Sequence, residues 1–139
     1  MNEPLKKILV LGNESFIQCL IDSLRKNFKT FQFISAFSIE AAESLINESR
    51  PLFIISSVHL LDGNAIDWFK KNTDCPGLIL YDDEKPKEAS EALACQHCSL
   101  WRMDKNTMDE LLLYIHQALQ TVECQLQLKV MAQKLHENR

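Results

Sequence analysis

The sequence predicts an α/β fold built on a parallel sheet, and three observations carry that prediction. Short apolar runs alternate with amphipathic stretches at helical spacing, the pattern of repeated βα units. The runs at residues 8–11, 52–55 and 77–80 are apolar without alternation, as strands covered on both faces are. The central run, Leu52-Phe53-Ile54-Ile55, stops at Ser56-Ser57 and passes through Val58-His59-Leu60-Leu61-Asp62-Gly63 into a helix, the way a buried strand delivers residues to a site. In open α/β sheets such a site lies beyond the carboxyl ends of the strands.

Each element has a local reason. Residues 8–11 form the first strand, closed by Gly12-Asn13. A helix follows over about 14–28, with Phe16, Ile17, Leu20, Ile21 and Leu24 on one stripe and Cys19 beside them as a small core residue. The second strand covers 31–35, and Ser38 caps a helix that carries Ala41, Ala42, Leu45 and Ile46. Pro51 ends that helix ahead of the strand at 52–56. A third helix over about 64–72 buries Ile66 and Phe69, with Trp68 as a packing anchor. The fourth strand, 77–81, runs into the solvated loop Asp82-Asp83-Glu84-Lys85. A helix over about 86–94 opens with Pro86 in its first turn, and 98–101 makes a short fifth strand anchored by Trp101.

The last helix starts near Thr107 and meets no breaker before Glu137. Thirty residues at 1.5 Å each give about 45 Å, longer than a domain of this size covers. Leu111, Ile115, Ala118 and Val122 form a stripe expected to face the sheet. Cys124, Leu128, Met131 and Leu135 repeat the spacing with an offset, which suggests a second partner, most simply the helix of another copy. The expected division is a domain over 1–122 and a helical extension over 123–139, leading toward an output domain beyond the chain.

Composition narrows the function. With 139 residues, 46% hydrophobic and 24% charged, the chain fits one soluble domain with a real core. A net charge of −4 gives no reason to expect nucleic-acid binding by this segment. No apolar run approaches the ~20 residues of a membrane span. No leader is expected, since residues 1–7 lead straight into a strand. Five cysteines without a framework spacing point to reduced thiols and a cytoplasmic location. Cys95-Gln96-His97-Cys98 is a candidate zinc or redox element, for which Cys75 is the other obvious ligand.

The order of units, with Ser57-Val58-His59-Leu60-Leu61-Asp62-Gly63 in the middle, resembles the receiver domain of two-component response regulators over roughly residues 5–120. The resemblance implies a flavodoxin-like, three-layer α/β/α sandwich with five parallel strands in the order 2-1-3-4-5. It puts Ser57 at the phosphoacceptor position and Leu61 where the family has a proline. Gly12, Asn13 and Glu14, in Ile8-Leu9-Val10-Leu11-Gly12-Asn13-Glu14, fall at the positions of the acidic pocket. Tyr81 falls at the hydroxyl residue that ends strand four, and Ser99 at the aromatic switch position. Arg102, with Lys105 close by, stands at the lysine after strand five.

Receivers take a phosphoryl group on an aspartate, with Mg²⁺ held between it and the acidic pair. Mg²⁺ demands hard anionic oxygens, and phosphoryl transfer rests on positioning and charge neutralisation. Here Gly12 has no side chain, Asn13 and Ser57 offer neutral oxygens, and Glu14 alone is a carboxylate. A serine nucleophile needs a base. His59 is the nearest, with Asp62 as its one identifiable acid, but no Gly-x-Ser-x-Gly elbow surrounds Ser57 and His59 reads as a surface residue. Arg102 needs an anion, from Glu14, Asp82 or Asp83 or from a bound ligand, and Tyr81 is expected to fill the space the metal and its ligands leave. The reading is a degenerate receiver, without cofactor or metal, that signals by protein–protein contact. Its expected contacts are a homodimer through the last helix, an upstream histidine kinase and a downstream output domain. The alternatives are an anion or phosphoryl group at a non-standard residue, and a Cys95/Cys98 zinc or redox module.

Overall fold

The structure, a computed structural model, describes residues 6–72, 75–81, 98–102 and 108–137. The helix predicted over 86–94, the loop Asp82-Asp83-Glu84, Cys95, His97 and Lys105 lie outside the described residues, as do the side chains of Cys98 and Arg102. The chain divides into two units, Met1–Thr107 and Met108–Arg139.

In the first unit the elements run β1 (Lys6–Leu11), α1 (Glu14–Asn27), β2 (Phe31–Ala36), α2 (Ile39–Ser49), β3 (Phe53–Ser57), β4 (His59–Leu60), β5 (Gly63–Asn64), α3 (Ala65–Asn72), β6 (Gly77–Tyr81) and β7 (Cys98–Arg102). Five strands form one sheet in the order β2-β1-β3-β6-β7, every neighbouring pair parallel. Counted along the sheet's own strands this is 2-1-3-4-5, the predicted order. β4 and β5 form a separate antiparallel hairpin in the loop after β3. The sequence reading had this segment as a plain turn.

Burial explains the strand patterns. Ile8 to Leu11 are all fully buried, because β1 is central and covered on both faces. β2 lies at the sheet edge, so Gln32 and Ser35 are exposed while Phe33 and Ala36 are buried. Leu9, Leu11, Ile54 and Ile79 join Ala42 of α2 and Ile66, Trp68 and Phe69 of α3 in one cluster. Strand alternation turns Ile8, Val10, Ile55, Leu78 and Leu80 to the opposite face. α1 buries Ile17, Leu20, Ile21 and Leu24, none of which belongs to that cluster. Right-handed crossovers from β1 to β2 and back to β3 put α1 and α2 on opposite faces.

The helices are capped as their sequences ask. The Asn13 side chain accepts from the Phe16 N–H at 2.8 Å, and the Ser38 hydroxyl accepts from the Ala41 N–H at 3.1 Å. α2 ends at Arg50 in the left-handed region (φ 48°), ahead of buried Pro51. Two core assignments are corrected. Cys19 is exposed, because it falls on the solvent stripe with Ser15, Asp22 and Lys26, four, three and four residues apart. Ala41 is also exposed, leaving Ala42 as the buried alanine of α2.

The second unit is one helix, Met108–Glu137. Its buried residues are Leu111, Ile115, Leu119 and Val122. Leu119 takes the place expected of Ala118, which is half-buried. Cys124, Leu128, Met131 and Leu135 are exposed. No helix among the described residues is long and apolar enough to cross a membrane.

Candidate functional site

The sheet reverses its winding between β1 and β3, which are adjacent, and the carboxyl ends of these two strands are where such sheets bind ligands. β1 delivers Leu11 and then Gly12. β3 delivers Ser56 and Ser57 in register beside it, with Leu11 opposite Ser56. The two hydroxyls have different fates. Ser56 is fully buried and donates to the Ser57 carbonyl at 2.8 Å. Ser57 is half-buried, and its hydroxyl donates to the backbone carbonyl of His59 at 3.4 Å.

The space beside Gly12 is taken by an aromatic ring. A β-carbon on Gly12 would lie 2.6 Å from Cδ1 and 3.1 Å from Cε1 of Phe16, and 3.2 Å from Oγ of Ser57. Real β-carbons do not approach a carbon at 2.6 Å, so any side chain at residue 12 must displace the ring. Phe16 comes to stand there because Asn13 caps α1. The cap starts the helix immediately after Gly12, and one turn later Phe16 lies back over the strand end. The same cap uses the Asn13 oxygen. Glu14 sits in the first helical turn and lines an open groove with Ile17, Gln18, Ile21, Asp22, Arg25, Ser35 and Phe37.

These residues do not fit a Mg²⁺ ion. Residue 12 lacks a ligand and its ligand space holds a hydrocarbon ring, the Asn13 oxygen is bonded to the Phe16 N–H, and the Ser57 hydroxyl is uncharged. Among the described residues no three His, Cys, Asp or Glu side chains converge as a metal site would require. Tyr81 is half-buried and packs against the Leu11, Val58 and Ile79 cluster. Its neighbour Leu80, not Tyr81, is the register partner of Ser57. Phe16, which nothing in the sequence places at this strand end, is the side chain that crowds residue 12.

Asp62 has a different partner from the one considered for it. The β4–β5 hairpin turns at Leu61-Asp62 and presents the Asp62 carboxylate to the start of α2. There it accepts from the Ile39 N–H at 2.7 Å and the Glu40 N–H at 3.2 Å. With Ser38 bonded to the Ala41 N–H, the first three amides of α2 are all satisfied. The Ile39 hydrogen bond is the main cause holding the Asp62 carboxyl below its ordinary 3.8; desolvation opposes it, and the Glu40 N–H and its own N–H assist. His59 is exposed, as expected, and a Ser57–His59–Asp62 relay is not assembled: Ser57 meets the carbonyl of His59, and the acid is bonded to α2.

Asn64 then opens α3, accepting from the Ile66 N–H at 2.8 Å and the Asp67 N–H at 3.4 Å. Trp68 is an anchor as predicted: buried, edge-on to Phe69 with centroids 5.4 Å apart, its indole N–H donating to Glu43 at 3.3 Å. Cys75 donates to the Pro51 carbonyl at 3.4 Å, and burial pushes its thiol up to about 12. A thiol held protonated is a poor metal ligand, since zinc takes the thiolate.

No protein-family model matches the sequence, and no curated protein matches it. Solved structures do. A signal receiver domain from Vibrio parahaemolyticus matches with a TM-score of 0.73 at 15% identity, over 88% of this chain and 96% of that one. The receiver domain of an HD domain-containing protein from Pseudomonas fluorescens matches at 0.70 and 18%, over 91% and 96%. NtrX from Brucella abortus matches at 0.71 and 18%, over 90% of this chain but 29% of the longer one. The chain has the receiver-domain fold.

Proposed function

We propose that this receiver-fold chain is a non-enzymatic signal-transduction module that works through protein contacts and does not accept phosphate on an aspartate. The single observation that supports the reading is the Phe16 ring packed against Gly12, where a β-carbon would come 2.6 Å from its Cδ1, beside a neutral Ser57. With neutral residues at 12, 13 and 57, the strand end lacks both the carboxylate nucleophile and the anionic oxygens that hold Mg²⁺ in aspartyl phosphorylation. Without an aspartyl phosphate to favour one state, the module would not use phosphorylation to select between two arrangements.

The reading assigns Ser57 as the degenerate phosphoacceptor position, Gly12, Asn13 and Glu14 as the degenerate acidic pocket, and Tyr81 and Arg102 as the switch and lysine positions. The module occupies residues 1–122, and residues 123–139 extend the last helix toward an output domain. Two copies associate through that helix, whose Leu128, Met131 and Leu135 are 63%, 59% and 70% exposed. Solved neighbours include receiver domains of a DNA-binding response regulator and of an HD domain-containing protein, which supports an output partner of some kind. The cytoplasm is the compartment that suits this role. Incubation with Mg²⁺ and a small phosphodonor, followed by intact mass spectrometry, tests the reading. An unmodified mass is expected, and a stable phosphoryl adduct overturns it.

A further inference from the structure

Two apolar stripes run along the helix Met108–Glu137, and they lie on opposite sides of it. The buried residues Leu111, Ile115, Leu119 and Val122 continue at helical spacing into Leu126 and Val130, which are 40% and 48% exposed. Cys124, Leu128, Met131 and Leu135 are displaced by two residues from this row, about 200° around a helix of 3.6 residues per turn. From Glu123 to Leu135 no residue is buried within the chain. A segment of this length is marginal as an isolated helix, so its exposed row calls for a partner.

Resting on the self-association proposed above, we infer that the Cys124–Leu128–Met131–Leu135 row is the surface that meets a second copy, and that the two helices run antiparallel. The spacing of four, three and four puts Cys124 and Met131 at one core position of a heptad and Leu128 and Leu135 at the other. An antiparallel pair centred between Leu128 and Met131 sets the small Cys124 against Leu135 of the other copy, and Leu128 against its Met131. Each small Cys124 is thereby backed by a large Leu135, and no layer holds two small residues. A parallel pair in register would instead set Cys124 on Cys124 and leave that layer underfilled. The flanks suit self-pairing: Gln125 and Ala132 lie along one side of the row, Gln127 and Lys134 along the other. Antiparallel pairing puts Lys134 beside the uncharged Gln127 and brings no like charges together.

The test uses the whole chain carrying Leu135→Cys, treated with diamide, which takes two electrons and two protons as two thiols join in a disulfide. Peptide mapping is expected to find Cys124 joined between copies to residue 135, and light scattering of the untreated wild type is expected to give a dimer. Leu128→Asp is expected to give a monomer, and Leu126→Asp, on the opposite side, to leave the dimer intact. A Cys124–Cys124 bond between copies in the oxidised wild type overturns the orientation alone. A dimer that survives Leu128→Asp but not Leu126→Asp overturns the choice of face. A monomeric wild type sinks both this inference and the self-association reading, whatever the pocket does.

Discussion

The ring of Phe16 stands against Gly12: a β-carbon at residue 12 would come within 2.6 Å of its Cδ1. The clash is with a half-buried side chain, so the ring can give way at a cost. Overpacking of this kind destabilises by about 1–3 kcal/mol. Gly12→Ala is expected to lower stability by that order in urea unfolding, and the loss should shrink when Phe16→Ala is present. Equal losses in both backgrounds would show that the ring is not what crowds residue 12.

Gly77 offers a stricter comparison. Its missing side chain is covered by the Phe69 ring, and a β-carbon there would also lie 2.8 Å from the Ile54 carbonyl oxygen. Backbone of a central strand cannot swing aside as Phe16 can. Gly77→Ala is expected to cost more than Gly12→Ala, at or above the roughly 3 kcal/mol end of the overpacking range. Truncating Phe69 should recover only part of it.

The Asp62 cap has a pH signature. Its carboxyl titrates below its ordinary 3.8 in the folded chain, chiefly through the Ile39 N–H. The folded state therefore binds that proton less readily than the unfolded chain. The stabilisation is fully present above 3.8 and is lost as pH falls through the lower folded value. Asp62→Ala is expected to lower the melting temperature at pH 7 and to flatten the acid limb of stability against pH. A wild-type acid limb retained by the variant would mean that another carboxylate carries it.

Cys75 should be the unreactive thiol. Burial raises it from 9.0 to about 12, whereas Cys19 and Cys124 are exposed. Alkylation near neutral pH is expected to label Cys19, on the solvent stripe of α1, well before Cys75. A raised value in the folded state also means that its contribution is intact below 9.0 and declines as pH rises through about 12. Cys75→Ala should soften that alkaline decline, and peptide mapping after brief alkylation checks the order of labelling.

Much of this architecture is legible in the sequence because the physics is local. Unbroken apolar runs mark strands with two covered faces, and Ser38 reads as a cap because it can reach an amide three residues on. Asn13 caps α1 in the same way, though it reads in the sequence only as the close of the first strand. Gly12 and Ser57 read as neutral for the same reason, since charge is written in the residue type. What was missed depends on contacts between distant segments. Asp62 lies 23 residues from the Ile39 amide it caps. Its neighbour Gly63 was a visible turn signal, but nothing local says where a hairpin tip will point. Phe16 was correctly put on the apolar stripe of α1, yet its place over Gly12 follows from where the cap starts the helix. Cys19 was misplaced because a small apolar residue next to a stripe can fall on either side of its boundary.

Calorimetric titration of the full chain with Mg²⁺ and beryllofluoride tests the closed pocket most directly. Neither should bind with a saturable heat, and the triple substitution Gly12→Asp, Asn13→Asp, Ser57→Asp should gain Mg²⁺ affinity only once Phe16→Ala clears the space. A saturable isotherm with the unaltered chain would contradict the account.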